Sequence, residues 1–490
     1  MSRFSLRVLP VATIALLSAS TSLAQYQTAK PVPDKYSTGF NSINVENSRK
    51  HLNVLAGTEF AGRGTGQEGF FKAAKWYAEE LAKVGFVPAG TDGTWFQTVP
   101  LIRTSVAEET ALAVNDGKVD LQFGVSTYVG ESKNSAPIVF MNLTDTQADI
   151  GTAEQFEGKI IVYQAAARGR FRRTSMPAVL RDAKPAAIIR VTARGLRTDR
   201  IGRRASVPTD TPSISIGVED ANKLAKECYL AENFFSERPK QNVVISTGFK
   251  ADYTIEVVRE TVEIPNVIGW YPGSDPDLRN EHVGLGAHLD HLGTQGKTVF
   301  PGADDNGSGS TALLQIAKAI HTNPVKPKRS IFLIVFCGEE LGLLGSAHYA
   351  DNPTKPLKDM VCMLNMDMVG RNEETNQETA EENVGHIHLV GSKRISMALH
   401  DLTLKANEHV GFTFEYDQEG VYTRSDHANF AKKGIPITFV FGGFHPDYHK
   451  PTDTVDKIEF EKIVNAARLN YLAAMMAADH GHFEKNENAK

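Results

Sequence analysis

Ile331-Phe332-Leu333-Ile334-Val335-Phe336-Cys337 is apolar at every position. A strand with one face in water alternates apolar and polar residues. An unbroken apolar run must therefore be covered on both faces, as in a parallel sheet with helices on each side. Working outward, Val283–Ala287, Val361–Met366, Ile387–Val390 and Pro436–Phe441 read as further strands. Helical spacing lies between and after them, over Thr311–Ile320, Arg394–His409 and Glu459–Met475. In the first of these, Leu313, Ile316, Ala317 and Ile320 fall on one face. Strands alternating with helices predict an α/β fold, a doubly wound, mostly parallel sheet flanked by helices.

Upstream, helices are predicted over Val45–Leu55 and Gly69–Val84. The second carries Phe70, Ala73, Ala74, Tyr77 and Leu81 at helical spacing and stops at Gly85. From Ala111 the texture changes to short apolar strands at Ala136–Phe140, Lys159–Tyr163, Ala187–Val191 and Pro212–Ile216, then a helix over Asp220–Ala225. This stretch reads as a smaller inserted α/β domain. The expected division is a leader at 1–24, an N-terminal arm and helices at 25–110, the insertion at 111–250, the main core at 251–480 and a polar tail at 481–490.

A chain of 490 residues exceeds what one hydrophobic core usually serves, in keeping with two domains. Its 53 basic and 58 acidic residues leave a net charge of −5, which argues against a general nucleic-acid binder. Three cysteines, Cys228, Cys337 and Cys362, are too few for a disulfide scaffold. Cys337 and Cys362 are expected as buried free thiols, because side-by-side strands seldom meet disulfide geometry. Arg3 and Arg7 precede the apolar run Val8–Leu17, and Ser22-Leu23-Ala24 fits a small-x-small cleavage site. That pattern is a secretory leader, so export to the periplasm or the medium is expected. No later apolar run reaches the ~20 residues that span a bilayer. Arg168–Arg204 holds eleven Arg and one Lys against two Asp. It reads as a solvated basic face, or a surface for an acidic partner.

In sheets of this kind, sites form beyond the carboxyl ends of the strands. Val283–Ala287 runs into His288-Leu289-Asp290, and Ile331–Cys337 into Gly338-Glu339-Glu340. Val361–Met366 runs into Asp367, and Pro436–Phe441 into a loop holding His445, Tyr448 and His449. The glycine-rich turn Gly302-Ala303-Asp304-Asp305-Asn306-Gly307 precedes the helix at Thr311. Imidazole plus carboxylate suits zinc and similar divalent ions. Two histidines with three or four carboxylates suit two ions bridged by one carboxylate and a water, with Asp305 the natural bridge. Of the adjacent Glu339 and Glu340, one can ligate while the other acts as general base.

The blocks GLGAHLDHLG, PGADDNGSGSTALL, FCGEELGLLGS, MLNMDMVGR and YHKPTDT, in this order over roughly 255–475, resemble the co-catalytic zinc exopeptidases of the aminopeptidase Y and glutamate carboxypeptidase type. The stretch LAGTEFAGRGTGQEGFFKAAKWYAEELAKVGF resembles that family's leading helices, and 111–250 resembles a protease-associated domain. The resemblance implies the zinc exopeptidase fold, two zinc ions per chain and a peptide or protein substrate. By the family pattern, His288, Asp305, Glu340, Asp367 and His449 correspond to metal ligands and Glu339 to the catalytic base. Asp290 corresponds to a carboxylate orienting His288, Tyr448 to a hydrogen-bond donor for the oxyanion, and Asp304 to a neighbour outside the ligand set. The implied activity is a secreted metallopeptidase, an aminopeptidase with carboxypeptidase as the alternative. A one-zinc glutaminyl cyclase is disfavoured by the full ligand set, and a non-catalytic receptor-like relative by the presence of both ligands and base. Thr423–His427 resembles a family loop near the substrate.

Overall fold

A computed structural model describes residues 29–115, 117–125, 131–145, 149–165, 176–192, 196–203, 211–237 and 239–487. The expected leader and parts of the arginine-rich segment lie outside the described residues.

The apolar run forms strand Ser330–Phe336, buried at every position. Ile331, Leu333 and Val335 enter one core, and Phe332, Ile334 and Phe336 enter another. Successive side chains of a strand point to opposite faces, so one seven-residue strand serves both cores. The first core takes in helices Gly309–Thr322 and Phe460–Asp479. The second takes in Tyr349 and Phe430 from the short helices Leu344–Asp351 and His427–Ala431. Leu333 is fully buried, so Leu333→Ala should cost about 2–5 kcal/mol. Denaturant unfolding of the two proteins measures it.

The strands of the main sheet are β1 (Phe96–Val106), β2 (Asp199–Gly202), β3 (Val257–Tyr271), β4 (His282–His288), β5 (Ser330–Phe336), β6 (Met360–Asp367), β7 (His386–Val390), β8 (Thr413–Glu415) and β9 (Ile437–Phe441). Their order is β8-β7-β9-β6-β4-β5-β3-β1-β2, and Val87–Pro88 adds a short pairing on β3. The centre β5-β4-β6-β9 is parallel, with Leu333 opposite Leu285 and Leu285 opposite Leu364. Its four carboxyl ends therefore open on one edge. The flanks join it through antiparallel pairs, β3 on β5, β1 on β3, β2 on β1, and β7 on β9, while β8 runs parallel to β7. The sheet as a whole is thus mixed, parallel at its centre.

A second, eight-stranded sheet takes its strands from residues 111–255. Its centre, Ser132–Leu143, Ile160–Ala165, Ala187–Thr192 and Ser213–Gly217, is parallel. Ala221, Leu224 and Ala225 of helix Val218–Glu227 cover one face, and Leu180 covers the other. One strand from this stretch, β2, leaves it and pairs with β1, placing Ile201 in the main core.

The helix expected over Arg394–His409 is broken. Ser396 is extended (φ −144°, ψ 117°), between Ser392–Ile395 and Met397–Asn407. Asn486 fills the break: its N–H donates to Ile395 O and its Oδ1 accepts from Met397 N. The orphaned backbone groups are satisfied by the C-terminal segment, which local spacing cannot foretell. Cys337 and Cys362 are buried free thiols, on β5's end and on β6, with β4 between those strands. Among the described residues, no helix is long and apolar enough to cross a membrane.

Candidate metal centre

The parallel strand ends converge. His288 is the last residue of β4 and Asp367 the last of β6. Glu339 and Glu340 follow β5 through Gly338, whose φ of +64° turns the chain sharply. Asp305 lies in the turn before helix Gly309–Thr322, and His449 in the loop after β9. His288 Nε2 is 3.2 Å from Asp367 Oδ1, 3.4 Å from Asp305 Oδ1 and 3.9 Å from Glu339 Oε2. His449 Nε2 is 3.1 Å from Asp305 Oδ2 and 3.1 Å from Glu340 Oε2. The two oxygens of Asp305 thus face two different histidines. The adjacent glutamates diverge, Glu339 toward His288 and Asp367, Glu340 toward His449.

Asp290 meets His288 mainly through its backbone: the imidazole Nδ1 lies 2.9 Å from the Asp290 carbonyl and 3.8 Å from the carboxylate. The chain turns after β4, which brings the carbonyl back onto the ring. The carboxylate accepts from Thr65 Oγ1 (2.7 Å), Glu339 N (3.1 Å) and Glu340 N (3.4 Å). It orders the turn carrying both glutamates. Asp304 points away from the centre, accepting from Gly370 N and facing His445 Nε2 at 3.2 Å.

Several residues that the sequence reading passed over hold this arrangement. Asp453, in the YHKPTDT block, accepts from the N–H groups of Asp304 and Asp305. His291 Nδ1 lies 2.7 Å from Glu340 Oε1 and 3.6 Å from Asp305 Oδ2. Its place beside Asp290 in the His288-Leu-Asp-His291 run was the available signal. Arg63 is fully buried and donates to the carbonyls of Leu55, Leu289, Pro301 and Gly302. It ties the loop after β4 to the turn of Asp305. Arg63→Met strands these four carbonyls, so it should destabilise by at least about 3 kcal/mol. It should also loosen any ion held there, readable by thermal melting with and without chelator.

The electrostatics call for a cation. Burial, with Asp367, Glu340 and Asp426 nearby, pushes Glu339 well above the usual carboxylate range, although His288 opposes it. Burial works the same way on Glu340, yet His449 and His291 hold it well below that range. Burial also lifts Asp290 to about 6 and Asp426 to about 7. So many carboxylates taken out of water without a counter-charge are costly. Nε2 of His291 is buried without a hydrogen-bond partner. His288, Glu339 and Asp367 offer one set of donor atoms within 4.8 Å of one another, and His291, Asp305 and Glu340 another. These donors, imidazole and carboxylate with no thiolate, fit divalent zinc-like ions.

The centre floors a pocket lined by Met368, Val421, Phe439, Phe441, Phe444 and Arg424, with Asp305, Glu339, Asp367, Tyr448 and His449 at its base. The Tyr448 ring stacks on His449 with centroids 3.9 Å apart, and its hydroxyl accepts from Arg424 Nη2 at 3.3 Å. His449 itself is held at φ +55°, an uncommon backbone state for a non-glycine residue. From the Thr423–His427 loop, Arg424 lines the pocket, while Ser425 bonds Asn365 and His427 stacks on Phe439.

Residues 266–474 match the family model described as Peptidase family M28. This segment of the chain is accordingly a peptidase family M28 domain. Among curated proteins, aminopeptidase YwaD of Bacillus subtilis is 30% identical over 268 residues, covering 53% of this chain and 50% of that protein. A probable leucine aminopeptidase of Arthroderma benhamiae is 30% identical over 226 residues, covering 44% and 58%. The chain thus spans 50–58% of the length of these two relatives. Among solved structures, BSAP, a zinc aminopeptidase from Bacillus subtilis, superimposes with a TM-score of 0.60 at 21% identity, over 91% of this chain and 99% of that one. At that identity the likeness is one of fold.

Proposed function

We propose that the protein is a zinc-dependent exopeptidase that removes residues from the amino terminus of peptides. The observation behind this reading is the paired arrangement in which Asp305 faces His288 with one oxygen and His449 with the other, at the floor of an apolar pocket. His288, Asp305 and Asp367 would hold one zinc ion, and His449, Asp305 and Glu340 a second, with His291 beside Glu340. Ions bound there supply Lewis acidity and make a nearby water acidic enough to lose a proton at neutral pH. Glu339 takes that proton as the water oxygen adds to the scissile carbonyl carbon. It then passes the proton to the amine nitrogen as the carbon–nitrogen bond breaks. Tyr448, on the pocket lining beside His449, donates a hydrogen bond to the oxygen that gains negative charge in this reading. The names of the relatives, aminopeptidase and leucine aminopeptidase, agree with a pocket of Met368, Val421 and three phenylalanines suited to an apolar side chain. The stretch 111–250 fits this reading as an inserted domain of the protease-associated kind.

One observation favours the carboxypeptidase alternative: Arg424 places a guanidinium on the pocket wall, where a substrate carboxylate could pair with it. Paired assays separate the two. Leucyl peptides with a free amine and an amidated carboxyl end should be cleaved, and their N-acetylated counterparts should not. Cleavage of acetylated peptides that requires a free carboxylate would replace the aminopeptidase with the carboxypeptidase.

A further inference from the structure

Away from that centre, at the β7–β8 edge of the sheet, a second group of donors comes together. His388 is 1% exposed, on β7 directly opposite Glu415 of β8 in a parallel register. Its Nε2 lies 3.0 Å from Glu373 Oε2, a carboxylate that is itself buried. A neutral imidazole donating from Nε2 turns the lone pair of Nδ1 outward. That Nδ1 is buried and has no hydrogen-bond partner. It nevertheless lies 3.1 Å from Asp417 Oδ1 and 3.6 Å from Glu415 Oε2. A lone pair this close to two carboxylate oxygens is repulsive unless something positive lies between them. A proton on Nδ1 is poorly placed for the task, because neither oxygen has hydrogen-bond alignment with the ring.

We propose that His388 Nδ1, Glu415 and Asp417 form a separate site for one divalent transition-metal ion, with Glu373 orienting the imidazole from behind. Bonds of about 2.0–2.2 Å from one ion to an imidazole nitrogen and carboxylate oxygens put the donor atoms roughly 3.0–3.5 Å apart, close to the 3.1 Å and 3.6 Å that separate Nδ1 from Asp417 and Glu415. A carboxylate on the far nitrogen of a ligating histidine is the usual arrangement that fixes its tautomer. Charge points the same way. Glu373 and Glu415 share one buried ammonium, Lys462, which Asp304 and Glu459 also attract. His386 Nδ1 lies 2.8 Å from the other oxygen of Glu415. Asp417 is largely exposed, so an ion can enter from solvent. Glu373 Oε1 accepts from the N–H of Phe444, a residue of the pocket wall, so an ion here would brace that wall from outside the catalytic centre.

The test is a zinc count on the full chain, saturated with zinc and freed of excess by gel filtration, against the double variant Glu415→Gln/Asp417→Asn. Both substituted residues lie at the half-open mouth, so the variant should fold. The unaltered protein is expected to hold one zinc more per chain than the variant, three against two. Equal counts in the two folded proteins overturn the proposal. Because the readout is a difference, it stands apart from the peptidase reading. If the catalytic centre bound no zinc, the counts would be one against none. Glu373→Gln should in addition weaken the extra zinc by about 10–100-fold.

Discussion

Glu339→Gln should lower turnover by at least ~10²–10⁴-fold while leaving bound metal unchanged, the expected loss for a general base that can no longer accept a proton. The loss can exceed that range, because the same carboxyl group returns the proton to the leaving amine. Glu340→Gln differs in kind. Its carboxylate sits 3.1 Å from His449 Nε2 and 2.7 Å from His291 Nδ1. The variant should lose part of its zinc and regain activity when zinc is added. Zinc content of both variants, beside turnover at saturating zinc, decides the assignment. If Glu339→Gln loses metal while Glu340→Gln keeps it, the two roles are reversed.

Removing metal with a chelator should abolish peptidase activity altogether and restore it on readdition of zinc. The same treatment should lower the melting temperature, since the buried carboxylates would lose the counter-charge that offsets their transfer from water. Asp305→Asn should reproduce much of this without a chelator, because Asp305 alone faces both His288 and His449. Its backbone remains held by Asp453, so the turn should persist while both ions bind more weakly. Inductively coupled plasma measurement on this variant should find less than half the zinc of the unaltered protein. Retention of full zinc would show that the bridge lies elsewhere.

The central strands are legible from sequence because their signal is local. Ser330–Phe336 must be covered on both faces whatever the rest of the chain does, and the apolar runs at β4, β6 and β9 carry the same message. The long strands Phe96–Val106 and Val257–Tyr271 lack it. The first half of Val257–Tyr271 is largely exposed and the second half largely buried, so no single pattern runs through it. The excursion of Asp199–Gly202 from the second sheet into the main one likewise depends on where β1 happens to lie.

At the site, residue type and position at strand ends and in the glycine-rich turn gathered the candidates, Asp304 and His445 among them, because a parallel centre sends its carboxyl ends to one edge; the choice of His288, Asp305, Glu340, Asp367 and His449 as ligands and Glu339 as base came from the family resemblance. Tertiary structure alone decided which atoms meet. It set the Asp290 carbonyl against His288 and hydrogen-bonded the Asp290 carboxylate to the glutamate turn, buried His445 against Asp304, and set Arg63 among four carbonyls from three separate stretches of chain. It also gathered Glu373, His388, Glu415 and Asp417 from one loop, two strands and a turn. Local composition carries the apolar burial that builds the sheet. The direction of a hydrogen bond or the partner of a buried charge depends on groups far away in the chain, so it exists only once the chain has closed around it.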